Sequence, residues 1–124
     1  MVKQQKDIAV LVDEFARHVA NATDSTWDGD ATTANRHTRS YITTFKKLRA
    51  MGNQGRDALA ALFQHHRPDV RVAAAAFLLR HRTTEAIATL RELAQGKGMI
   101  AFQASEALKR WEESTWALDP PDEI

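Results

Sequence analysis

Five histidines, His18, His37, His65, His66 and His81, are the first residues to weigh, because imidazole both ligates metals and titrates near neutral pH. A zinc-binding helix wants two histidines four apart, or His-Glu-x-x-His. None of the five has that spacing, and neighbours such as His65 and His66 diverge on a helix, so they read as polar helix ends and not as a metal site. Carboxylate pairs occur at Asp13-Glu14 and Glu112-Glu113. Adjacent residues diverge by about 100° on a helix and cannot share a proton, so both pairs read as solvated surface. There is no cysteine, which excludes disulfides, thiolate catalysis and cysteine-ligated zinc. No Gly-x-Ser-x-Gly, P-loop or dinucleotide glycine pattern is present, and Gly96-Lys97-Gly98-Met99 reads as a helix-to-helix turn. The expectation is a chain that is not an enzyme and carries no cofactor and no metal.

Charge placement is more informative. Arg36, Arg39, Lys46 and, at the edge, Lys47 fall opposite Tyr41, Ile42, Phe45 and Leu48 on a helical wheel. Such a stripe can sit on phosphates or on an acidic protein surface; the alternative is a plain solvated face. The balance of 17 basic against 16 acidic residues lacks the basic excess of a dedicated nucleic-acid binder. Arg80-His81-Arg82 and His65-His66-Arg67 each fall at the end of a helix, where cations suit the dipole. Trp27 is placed in a loop and Trp116 in the C-terminal tail, each either anchoring a partner or folding back over an end of the structure, whereas Trp111 fits an inner stripe.

The elements that carry these residues are helices. With 124 residues, 44% apolar and 27% charged, the chain can bury one core, and few glycines and prolines favour helix. Ile8, Leu11, Val12, Phe15 and Val19 form a first apolar stripe that fades in the polar stretch 21–29, read as a loop. Asp30 caps a second helix reaching Met51, and Gly52 stops it. After an Asn53-Gln54-Gly55 link, a third helix turns Leu59, Leu62 and Phe63 inward. Pro68 and Asp69 suit the start of a fourth, whose run Val70 to Leu79, with Ala73 to Ala76, is apolar almost all round and must be sandwiched. Thr83 caps a fifth with Ile87, Leu90, Leu93 and Ala94; a sixth presents Ile100, Ala104, Ala107, Leu108 and Trp111. The fold class expected is all-α, about six helices as stacked antiparallel pairs, with one domain over 1–113 and an acidic, proline-containing tail over 114–124 that is extended or poorly ordered. The start Met1 to Asp7 has no apolar run suited to a signal peptide, and no stretch approaches the ~20 apolar residues of a membrane span, so the expected location is cytoplasmic.

An internal repeat supports stacking. Ala58-Leu59-Ala60-Ala61-Leu62 aligns with Ala86-Ile87-Ala88-Thr89-Leu90 28 positions later, and Val70 to Leu78 aligns with Ile100 to Leu108 at an offset of 30. Pro68-Asp69-Val70-Arg71-Val72-Ala73-Ala74-Ala75 resembles the second helix of HEAT-like repeats, best over 52–79, less over 83–111 and not at all before Gly52. The second unit carries Gly98-Met99-Ile100-Ala101 where the first has Pro68-Asp69-Val70-Arg71. The layout resembles a family of small single-domain bacterial HEAT-like proteins of unassigned function. That resemblance implies a short α-solenoid in which Asp69 and Arg71 act as a structural brace, with Arg71 holding a carboxylate. It also implies a protein-binding module, in one form an immunity protein that covers a toxin, with nucleic acid as the alternative partner. Partner-binding candidates are Arg36, Arg39, Lys46, Trp27 and Trp116; no membrane partner is expected, and oligomeric state is left open.

Overall fold

The computed structural model describes residues 2–120 and is all-α, with six helices among the described residues: α1 (Val2–Trp27), α2 (Ala31–Ala50), α3 (Asn53–Leu59), α4 (Pro68–Phe77), α5 (Thr83–Ala94) and α6 (Met99–Glu112). A short 3-10 turn, Ala60–Gln64, follows α3. No helix among the described residues is long and apolar enough to cross a membrane. The chain divides into two compact units, Met1–Leu62 and Phe63–Ile124.

In the first unit α1 runs seven residues past the point where its apolar stripe fades. The stretch read as a loop is helical through Trp27 because its threonines do not compete with the helix. The Thr23 and Thr26 hydroxyls donate to the carbonyls of Val19 (3.1 Å) and Ala22 (2.9 Å), and Ala22 is buried. The helix ends in a Schellman motif: the Asp30 amide donates to the Ser25 carbonyl (2.9 Å) and the Gly29 amide to that of Thr26 (3.1 Å), with Gly29 at φ 77°. Asp30 then serves α2, its carboxylate accepting from the Thr33 amide (3.0 Å). Hydrogen bonding from the Thr33 side chain, then from its amide, joined by the charge of Arg36, holds the Asp30 carboxyl below its ordinary range.

One residue therefore ends one helix and starts the next, and α1 and α2 pack as an antiparallel hairpin. Phe15 meets Tyr41 edge-on with ring centroids 5.5 Å apart, and burial raises the Tyr41 phenol above its ordinary value. Phe15, Phe45, Leu48 and Leu59 are fully buried or nearly so. Gly52 has a positive φ of 79°, but it caps α3, and Asn53-Gln54-Gly55 is the first turn of α3, not a link.

In the second unit α4 packs against both α5 and α6, which explains its apolar circumference: Val70, Ala74 and Ala75 are inaccessible, and the helix ends at Phe77, so Leu78 and Leu79, equally buried, belong to the turn that follows. At matching positions of the repeat, Ala74 and Ala104 are both fully buried, whereas Val70 and Leu78 are buried and their counterparts Ile100 and Leu108 are only half-buried. Thr83 does not cap α5. The cap position is Arg82, and the Thr83 hydroxyl donates backward to the Arg80 carbonyl (3.2 Å).

The stretch after α6 is non-helical but tethered. Ser114 takes a left-handed φ of 61° in a second Schellman motif, the Thr115 amide donating to the Arg110 carbonyl (2.9 Å) and the Ser114 amide to that of Trp111 (3.2 Å). The chain reverses there. The Trp116 indole donates to the Ala76 carbonyl (2.7 Å), and Arg80 donates to the Asp119 carbonyl (2.7 Å) and pairs with its carboxylate (3.3 Å). Asp119 is fully buried. Residues 121–124, the rest of the acidic tail, lie outside the described residues.

Candidate binding groove

The register of the α1–α2 hairpin determines what its cations do. Arg36, Ser40, Thr43 and Lys47 recur at spacings of four, three and four, so they form one row along α2. Opposite them α1 supplies Glu14 and His18, one turn apart. Between the two rows lies an open groove of about 330 Å³, to which Arg39 and Thr44 also contribute. Arg36, Arg39 and Lys47 are exposed, and neither Arg39 nor Lys47 is paired with a carboxylate among the described residues. Three permanent cations thus share the groove with one carboxylate, Glu14.

Two histidines meet at the hairpin. His18 Nδ1 and His37 Nδ1 are 3.0 Å apart, with ring centroids at 5.2 Å and planes inclined at 35°. One ring must donate and the other accept, so a single proton lies between them. Partial burial, then the charges of Arg17 and His37, hold His18 below its ordinary value, and Glu14 opposes them.

Of the residues singled out from the sequence, the structure brings Arg36 and Arg39 together in the groove. Lys46 is exposed but does not line it; Lys47, read as marginal, does. A rotation of about 100° per residue separates the two lysines. Trp27 is 78% exposed as the last residue of α1, and nine residues on from His18 it projects from the opposite side of that helix. Trp116 is half-buried and committed to Ala76 and to an edge-on contact with Trp111 (5.4 Å), so its indole is occupied within the fold. Trp111, read as core, is half-buried beside it, and the buried residues of α6 are Ala101 and Ala104. Met99 and Phe102, one turn apart on α6, are 55% and 61% exposed.

Asp69 and Arg71 make separate sets of contacts. Asp69 is buried and accepts from Arg67 Nε (3.0 Å), Arg67 Nη2 (3.0 Å) and the Val70 amide (3.0 Å). Arg71 donates to the Phe63 carbonyl (2.7 Å) and reaches Glu92 of α5 at 3.4 Å. The carboxylate on the same turn as Arg71 is therefore held by Arg67 through two parallel hydrogen bonds. His65 and His66 do not diverge: they lie beyond the 3-10 turn, outside any helix, and stack with centroids 4.3 Å apart. His65 Nδ1 accepts from the Arg67 amide (3.0 Å), and burial, with the charges of His66 and Arg67, holds its pKa low.

Sequence spacing missed the His18–His37 pair because metal-site rules look along one helix. The signal was available only through the turn: with Asp28–Asp30 as the bend, positions 18 and 37 come level on facing helices. Among the described residues no three His, Asp or Glu side chains gather as a metal cluster. Comparison with protein-family models, curated proteins and solved structures found no match to this chain.

Proposed function

We propose that this chain is a non-enzymatic binding module that docks an acidic surface of another protein in the α1–α2 groove. The observation that supports it is the convergence of Arg36, Arg39 and Lys47 on one groove, with Arg39 and Lys47 unpaired, in a chain whose overall charge is only +1. Unpaired cations aligned on one face attract a complementary surface and speed encounter with it. In its most concrete form the module is a HEAT-like immunity protein that covers the active site of a toxin, a reading that rests on the Pro68-Asp69-Val70-Arg71 resemblance. A second reading, nucleic acid in the same groove, is favoured by the same cations and opposed by Glu14 among them.

The deciding experiment is capture of partners by the tagged chain from its own organism, at low and moderate salt, beside an Arg36→Gln/Arg39→Gln/Lys47→Gln variant. A stoichiometric protein held at moderate salt by the native chain and released by the variant supports the reading. Equal capture by both proteins removes the groove from it. Nucleic acid alone, eluting as salt rises, replaces it with the second reading.

A further inference from the structure

We propose that the groove is an acid-strengthened receptor for a carboxylate-rich protein segment, with the His18–His37 pair as the switch. This rests on the groove reading above and adds the control of its affinity.

In the uncharged form of the pair one Nδ1–H lies between the rings. The first proton gained enters at Nε2 of the donor ring, which keeps the shared hydrogen bond and leaves one positive charge. A second must enter at the acceptor Nδ1, where two N–H groups then face each other across 3.0 Å and the contact breaks. Protonation therefore adds charge first, with the shared hydrogen bond kept, and breaks the contact second.

His18 lines the groove itself, so the added charge appears where the anionic partner sits. The charged groups around the pair are Glu14 and Arg17 from α1, with Arg36 and Arg39 neighbouring His37 on α2. α3 meets α2 where Gly55 faces Leu48, about 16 Å along the helix from His37. Glu14 favours protonation of His18 and Arg17 opposes it. A bound carboxylate tips this balance toward the protonated form.

The row from Arg36 to Lys47 spans about 16 Å, three turns of helix. An acidic segment can place carboxylates against Arg36, Arg39 and Lys47 and leave a gap at Glu14. A phosphate backbone cannot omit a charge, and it meets Glu14 regardless of register. The observations therefore favour a protein segment over nucleic acid.

The probe is a fluorescein-labelled twelve-residue peptide of Glu, Asp and Ala, whose carboxylates stay ionised at pH 5.5. Anisotropy is read with the full chain at pH 7.5 and pH 5.5 in low salt. One added charge at about 7 Å in a solvated groove predicts binding about three- to tenfold tighter at the lower pH. In His18→Gln/His37→Gln the ratio of the affinities at pH 5.5 and pH 7.5 falls to about one. An equal gain in that variant, or no gain in the native chain, overturns the proposal while leaving the groove as a docking face; no binding at either pH removes both. If a twelve-nucleotide single-stranded DNA binds tighter than the peptide at both pH values, the partner class is wrong. Should the double variant fail to fold, an NMR titration of the native imidazoles decides: linkage requires saturating peptide to move the pair's titration to higher pH, and an unmoved titration overturns the switch.

Discussion

Gly55→Ala replaces a hydrogen with a methyl group where α3 crosses the end of α2. The new Cβ would stand 2.0 Å from the Leu48 carbonyl oxygen, 2.8 Å from its carbonyl carbon and 3.1 Å from its Cα. All three are backbone atoms of a fully buried residue, so no side-chain rotation relieves the clash. α3 must move by more than 1 Å to restore van der Waals separation near 3.5 Å. It cannot do so freely, because only Met51 and Gly52 separate it from α2 and it also packs on α1. Overpacking of this kind costs about 3 kcal/mol, at the upper end of the usual range, and removing a helical glycine returns about 1 kcal/mol. The net loss is about 2 kcal/mol, or about 6–8 °C in Tm for a chain of this length. Urea and thermal unfolding followed by far-UV circular dichroism measure it. Gly96→Ala is the control, since its Cβ would meet only the Leu93 carbonyl oxygen at an ordinary 3.5 Å and its φ is not positive; that change is neutral or slightly stabilising. A Gly55→Ala protein as stable as the native chain would refute the close approach of α3 to α2.

Four further outcomes are expected. Ser114→Gly relieves the left-handed strain at φ 61° and raises the urea midpoint by about 0.5–1 kcal/mol equivalent; no gain means the reversal after α6 is not strained. Asp69→Ala removes a buried acceptor of three hydrogen bonds and lowers stability by about 2–3 kcal/mol, read from the same unfolding curves, whereas a loss under 0.5 kcal/mol contradicts the brace. His18 and His65 both titrate below the ordinary 6.5, so as pH falls through 6.5 the unfolded chain takes up protons before the folded one, and stability declines between pH 7.5 and 5.5. His18→Gln reduces that decline, and an unchanged pH slope counts against the assignment. Lys47→Gln weakens partner binding and Lys46→Gln does not; a partner affinity that responds equally to both places the contact on a different face of α2 from the groove.

Much of the fold was legible because it follows from rules that act within a few residues. Asp30 as a cap, the break at Gly52 and the start at Pro68 each depend on one residue's backbone or side-chain chemistry, and the structure places element boundaries there. The burial of α4 on nearly all sides was legible as well, since no solvent-facing helix carries Val70 to Leu79. The end of α1 was not. Thr23 and Thr26 have hydroxyls that suit either a loop or a backbone carbonyl one turn earlier, and the burial of Ala22 accompanies the helical choice.

The candidate site lay further from view. Sequence alone determined that α2 is a cationic helix with an apolar back, and that the chain has no thiol chemistry and no recognisable catalytic motif. Tertiary structure decided that Lys47 and not Lys46 lines the groove, that His18 meets His37, and that Trp116 and Asp119 fold back onto their own unit. Each depends on the register between segments distant in sequence. For the hairpin, that register follows from the two amide hydrogen bonds at Ser25 and Thr26 that close α1 and aim Asp30 at α2. A helical wheel gives the angle of a side chain around its own axis; only packing decides what stands across from it.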